Sequence, residues 1–223
     1  MRSAVIVFPG SNCDRDLAVA LERASGVEAA MVWHKDASLP DDLDIVTIPG
    51  GFSFGDYLRC GAIAARSPIM RSVVDFANKG GHVFGVCNGF QVLIEAGLLP
   101  GALMRNSGLK FVCKDAEITV ETRDSAFTSS YRKAETVTYP VAHHDGNYVA
   151  NEDLVKQLRD QDRVAFTYRD NPNGSTDNIA GILSKNRRVL GMMRHPERLN
   201  DPELGGVDGN KMFTSLTEAL VNA

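Results

Sequence analysis

The chain has 223 residues, 43% of them apolar and 23% charged, with a formal net charge of −4. That length suits one large α/β domain spanning residues 1–223 with a substantial core, and the mild acidity without any basic block argues against nucleic acid as a partner. The apolar runs are far too short to span a bilayer, and the opening one is too brief for a signal peptide.

In chain order, Ala4–Phe8 is a short apolar run stopped by Pro9 and Gly10, the pattern of a buried strand. Ser11 and Asn12 stand where a helix cap is wanted, and Leu17, Ala18, Ala20, Leu21 and Ala24 repeat at helical spacing up to Gly26. Val27–Trp33 reads as a second strand, Pro40–Asp44 as an acidic turn, and Asp44–Ile48 as a third strand ended by Pro49, Gly50 and Gly51. A helix over Ile69–Asn78 ends at Gly80 and Gly81, and His82–Val86 is the fourth strand. Strands alternating with helices predict βαβ units and a parallel sheet. The rhythm then changes. Cys113–Thr122 and Glu135–Val149 are rich in β-branched residues with no long helix between them, which predicts antiparallel strands at the sheet edge. A short helix at Leu154–Arg159, strands at Arg163–Tyr168, Ile179–Leu183 and Arg188–Met193, and a helix at Lys211–Val221 complete the chain. The fold class expected is α/β, an open and mostly parallel sheet with helices on both faces and antiparallel edge strands.

The four cysteines, Cys13, Cys60, Cys87 and Cys113, show no CxxC pair and no metal-ligand spacing. Free thiols fit a reducing, cytoplasmic compartment. Cys87 alone has a distinctive setting, in GVCNGFQ (residues 85–91) between the fourth strand and an apolar run. A nucleophile on such a strand-to-helix corner is held out at the sheet's carboxyl edge, and Gly85 and Gly89 let the backbone turn and neighbours approach. The helix amino end favours a thiolate, and the free N–H of Asn88 is placed for an oxyanion. The plainer alternative is a buried cysteine at a strand end. Cys13, Cys60 and Cys113 lack the glycine corner and read as core or structural thiols.

A catalytic thiol needs a base, and the base an orienter. His195 follows the last strand in RHPER (residues 194–198), Pro196 biases it towards an extended conformation, and Glu197 two residues on then faces the same side. Read alone, that pair is equally a surface His–Glu contact. Gly51 after the third strand can turn an amide inward as a second oxyanion donor, or simply close a turn. Asp56 and Arg59 have the spacing of a helical ion pair, and Asn171–Ser175 is a turn containing an Asn-x-Ser sequon.

GVCNGFQ followed far downstream by HPE resembles the class I, or triad, glutamine amidotransferases. FPGSNCDRD (8–16), PGGFSFGDYLRCGAIA (49–64), LLPGALMRNSG (98–108), NPNGS (171–175), NIAGI (178–182) and GMMRHPER (191–198) resemble, in order and nearly end to end, the glutaminase subunits of phosphoribosylformylglycinamidine synthase. The resemblance implies a flavodoxin-like fold, Cys87 as nucleophile on L-glutamine, His195 as base and Glu197 as its orienter. It implies oxyanion binding by the N–H groups of Gly51 and Asn88, and a glutamine site lined by Gln91, Asn106 and Ser107. It further implies a large synthetase subunit that uses ATP and magnesium, and a small bridging subunit, with no cofactor or metal in this chain, and it hints that the 171–175 loop docks a partner. Two departures stand out: AHHDG (142–146) where the family usually reads close to AHGEG, and Arg194 where a proline is expected. A cysteine hydrolase of the dienelactone-hydrolase kind fits less well, since it wants an acid well before the histidine. A binding subunit that has lost turnover is the other alternative.

Overall fold

A computed structural model describes residues 1–221. The unbroken apolar runs become strands covered on both faces. In β1 (Ser3–Val7), β3 (Ile45–Ile48) and β4 (His82–Val86), the side chains of Ala4, Val5, Ile6, Ile45, Val46, Ile48, Val83, Phe84 and Val86 are sealed from solvent. Thr47, buried in the same layer, donates Oγ1 to Ala4 O at 2.9 Å, so its hydroxyl is satisfied.

Helix α1 (Asp14–Ser25) buries Leu17, Ala20 and Leu21 and stops at Gly26, whose φ of 69° suits the left-handed cap. The expected caps do not form: the N-cap is Cys13, with no side-chain cap bond, and Ser11 instead donates Oγ to Gly50 O at 2.7 Å. Strand β2 (Ala30–Trp33) starts later than Val27, because Ser25 Oγ holds the Val27 N–H in a turn at 3.2 Å. Helix α2 (Pro68–Asn78) begins on proline, which suits a first turn, and α3 (Asn88–Glu95) follows Cys87 directly. Residues 53–66 hold only short 3-10 turns, with Phe54, Asp56 and Leu58 at positive φ. The helical Asp56–Arg59 pair is therefore absent; Arg59 pairs with Glu95.

Strand β5 (Ala102–Met104) was not expected, since three residues carry no readable period; it pairs with β8 (Asn147–Val149) in a small antiparallel ribbon. Strands β6 (Val112–Val120) and β7 (Thr136–His143) pair antiparallel from Val112 opposite His143 to Thr119 opposite Thr136. Asn151 caps α4 (Glu152–Asp160) by accepting from the Leu154 N–H at 2.9 Å. Then come β9 (Val164–Tyr168), β10 (Ile179–Leu183), β11 (Val189–Met192) and α5 (Asn210–Val221).

The main sheet has 9 strands in the order β2-β1-β3-β4-β11-β10-β9-β6-β7. β2, β1, β3, β4 and β11 run parallel, and β10, β9, β6 and β7 extend the sheet antiparallel. This is the open α/β sheet expected. Its parallel strands deliver the segments after β1, β3, β4 and β11 to one edge, where ligand sites of such sheets form. Among the described residues, no helix is long and apolar enough to cross a membrane.

Candidate active site

The corner after β4 is built around two glycines that admit no side chain. A Cβ on Gly89 would stand 2.0 Å from Ile48 O, and one on Gly85 would stand 2.5 Å from Leu93 Cδ1. The close approach lets α3 start against β3 and forces Cys87 into φ 50°, ψ −106°, a left-handed backbone rarely adopted by a non-glycine residue. The Cys87 N–H donates to Met192 O at 2.7 Å, which locks the corner to β11. Cys87 is 5% exposed, with Sγ 3.9 Å from Ala142 O.

His195 and Glu197 lie past the end of β11, both buried, with Nδ1 and Oε1 2.6 Å apart. The contact arises differently from the sequence reading. His195 has φ −107°, ψ 78°, and Pro196–Arg198 forms a 3-10 turn, so the chain curls Glu197 back onto the ring rather than running extended. Asn200 Nδ2 donates to Glu197 O at 2.7 Å and fixes that turn. Burial, the largest influence on His195, disfavours its charged form, but the facing Glu197 carboxylate and the two neighbouring sulfurs, Cys87 and Cys13, outweigh it. The imidazole is held well above its ordinary pKa.

The loop after β3 closes the site from the other side. A Cβ on Gly50 would stand 2.6 Å from His195 Cε1 and 3.4 Å from Cys87 Cβ, so only glycine lets this backbone lie between them. Gly51 has φ 114°, and a Cβ there would meet the Asn12 N–H nitrogen at 2.5 Å. Asn88 opens α3, where helix geometry gives its N–H no partner within the helix.

A chain of side-chain bonds surrounds the corner. Asn88 Nδ2 donates to Asp56 Oδ1 at 3.3 Å and to Gln91 Oε1 at 2.8 Å, and Gln91 Nε2 donates to Asp145 O at 2.7 Å. Asn106 is buried and fully engaged: Nδ2 donates to Lys110 O and His143 O, and Oδ1 accepts from the Gly146 N–H and from His143 Nδ1. It shapes the 142–146 loop from within, whereas Ser107 is exposed, its N–H donating to Asn173 O. His143 takes its Nδ1 hydrogen towards Asn106 and leaves Nε2 to Asn173 Nδ2, 3.5 Å away. Burial, then the positive charges of His195 and Arg194, lower its pKa to about 4.

The two departures find their places. His144 is partly exposed with its carbonyl accepting from the Asn106 N–H, and Asp145 pairs with Arg105 at 3.3 Å. Arg194 is wholly buried; Nη1 donates to Ala116 O at 2.6 Å and Tyr139 O at 2.7 Å, and the guanidinium lies 4.7 Å over the Tyr168 ring. It ties β6 and β7 to the end of β11. The 171–175 loop is braced from within: Asn173 is 0% exposed and donates Nδ2 to Gly146 O at 2.7 Å, which also closes the sequon to modification. Of the cysteines read as core or structural, Cys113 is exposed, and Cys13 stands beside His195, with Arg198 Nη2 donating to its sulfur at 3.1 Å. Sequence reading missed that neighbourhood. The available signal was a cysteine at a helix N-cap.

Residues 1–206 match the CobB/CobQ-like glutamine amidotransferase domain. The fold and that match define the class: the chain is a glutamine amidotransferase. The phosphoribosylformylglycinamidine synthase subunit PurQ of Ruegeria sp. (strain TM1040) is 62% identical over 223 residues, covering 100% of both chains. The subunit of the same name from Roseobacter denitrificans is 63% identical over 220 residues, covering 99% of each. A chain in the structure of PurLQS from Thermotoga maritima superposes with a TM-score of 0.90 at 44% identity, covering 98% of each chain. Within the class, this chain belongs to the family of phosphoribosylformylglycinamidine synthase subunit PurQ.

Proposed function

We propose that this chain is the glutaminase of a phosphoribosylformylglycinamidine synthase, working in the cytoplasm and passing ammonia to a large synthetase subunit, with a small third subunit bridging the assembly. The synthetase subunit, using ATP and magnesium, converts formylglycinamide ribonucleotide to the amidine. The observation that carries the reading is Cys87 at a left-handed corner facing the edge where the buried His195–Glu197 pair closes to 2.6 Å.

The Cys87 sulfur attacks the side-chain amide carbon of L-glutamine, and the carbonyl oxygen takes up negative charge. The N–H groups of Gly51 and Asn88 bind that oxyanion; one such donor is worth about 100- to 1,000-fold in rate. His195 gives its proton to the nitrogen, ammonia leaves, and a glutamyl thioester remains. Water then attacks the thioester while His195 takes a proton from it, and glutamate departs with the Cys87 sulfur freed and the His195 proton restored. Glu197 holds the ring and balances the imidazolium in both halves. Gln91, Asn106 and Ser107 shape the glutamine pocket, Gln91 and Asn106 by holding the 142–146 loop.

Cys87→Ala in the assembled complex tests this. Glutamine-dependent synthesis disappears and synthesis from added ammonia persists. Loss of both in a well-folded complex, or retention of glutamine use, would contradict the reading.

A further inference from the structure

Serine, threonine, aspartate and asparagine lead at helix N-caps because a side-chain oxygen there takes up an orphan N–H of the first turn. Helix α1 starts on Cys13, which makes no such bond, although Ser11, Asn12 and Asp14 are at hand in the sequence. A broken local rule of this kind is a mark of function, and the sulfur is turned inward. Cys13 is 3% exposed; Sγ accepts from Arg198 Nη2 at 3.1 Å and lies 3.5 Å from Asn12 Oδ1. Sγ, a ring nitrogen of His195 and a carboxylate oxygen of Glu197 all fall within 4.8 Å of one another. The point where a Gly50 side chain would start is 2.6 Å from His195 Cε1 and 3.4 Å from both Cys13 Sγ and Cys87 Cβ. The imidazole therefore has two sulfurs for neighbours, one that reacts and one that does not.

We propose that Cys13 is a positioning residue of the glutaminase reaction, packing against His195 and holding Arg198 so that the His195–Glu197 pair stays aligned on Cys87. The inference rests on the glutaminase reading. Arg198 is the link, since it follows Glu197 in the chain and reaches back to the start of α1 twice, through Nη2 to Cys13 and through Nε to Asp16 at 3.3 Å. The 3-10 turn that presents Glu197 is thereby clamped on its outer side. Sulfur suits the place because a thiol is a weak donor and does not compete with the imidazole for Glu197. A hydroxyl at the same position would turn to its own first-turn N–H and leave the ring. The titratable groups facing His195 are Glu197 from its own turn, Cys87 from the corner after β4, Cys13 from the start of α1 and His143 from the end of β7. Cys13 helps keep the proton on the ring.

The test is glutamate release by the chain assembled with its synthetase subunits, followed across pH for Cys13→Ser and Cys13→Ala, with thermal unfolding of the same complexes. In Cys13→Ser the unfolding midpoint holds or rises, because the hydroxyl caps α1. In both variants kcat falls, by about tenfold, while KM stays within about twofold. The basic limb of the profile, which follows loss of the His195 proton, moves to lower pH. Synthesis from added ammonia is unchanged. The basic limb decides: if it stays at the wild-type position in both variants, whatever happens to kcat, the proposal is overturned and Cys13 only fills space. A wild-type complex that releases no glutamate strikes the glutaminase reading itself, and so the two failures are told apart.

Discussion

His195 and His143 are both buried, yet their protonation runs in opposite directions. His195 faces a carboxylate that raises its pKa; His143 faces an amide, and burial together with two positive charges lowers its pKa to about 4. The stability that follows has a definite sign. An unfolded histidine titrates near 6.5, so the contribution of neutral His143 is complete above that pH and is lost as pH falls towards about 4. The loss is on the order of 3 kcal/mol. Urea midpoints measured at pH 7 and pH 4.5 will drop less in His143→Gln than in the native chain, after its lower starting stability is subtracted. For Glu197, replacement by Gln keeps an oxygen near Nδ1 but removes the charge that holds the proton. Glutamate release in the complex is expected to fall at least about 100-fold, with ammonia-dependent synthesis intact; a fall below tenfold would leave Glu197 without its role. Cys87, His195 and Glu197 could be picked out as candidates because each stands in a short pattern with a chemical reason. Cys13 was not, because its partners are distant in sequence and its one local signal, a cysteine at the N-cap, emerges only once the start of α1 is fixed.

At the scale of elements, the corner was readable and its surroundings were not. Glycines two before and two after Cys87 carry their own explanation: Gly89 lies where Ile48 O leaves no room, and Gly85 lies under Leu93. Gly89→Ala is accordingly expected to destabilise by about 3 kcal/mol or prevent folding, seen as a lowered urea midpoint together with loss of Cys87 alkylation by a glutamine-like electrophile. A near-native midpoint would show that α3 can shift away from β3. By contrast, the 3-10 turn at Pro196–Arg198 reached the expected His–Glu contact by an unexpected route, since proline suits the first position of a turn as well as an extended segment. Residues 53–66 escaped because their shape depends on left-handed residues such as Phe54 and Leu58, which no propensity favours. They are held from outside, through Ser53 N–H and Asp56 on Asn88.

At the scale of the whole molecule, Tyr57 and Leu58 are 75% and 92% exposed on the segment that bonds to Asn88. The isolated chain is expected to hydrolyse glutamine weakly and to speed up when its synthetase subunits are added; full turnover without them would show a site complete in itself. Parallel and antiparallel halves could be told apart in the sequence by their rhythm, but the order of strands could not, because pairing depends on contacts between distant segments. The order matters most at β11. It lies between β4 and β10, so Cys87 and His195 sit just past the ends of neighbouring strands although about half of the chain separates them. During synthesis on the ribosome, the amino-terminal strands emerge with the middle of their sheet still vacant, since β11 leaves last of the strands. The Cys87 corner and the His195 imidazole therefore meet only once β11 has docked beside β4, and a polypeptide that stops short of it cannot bring them together.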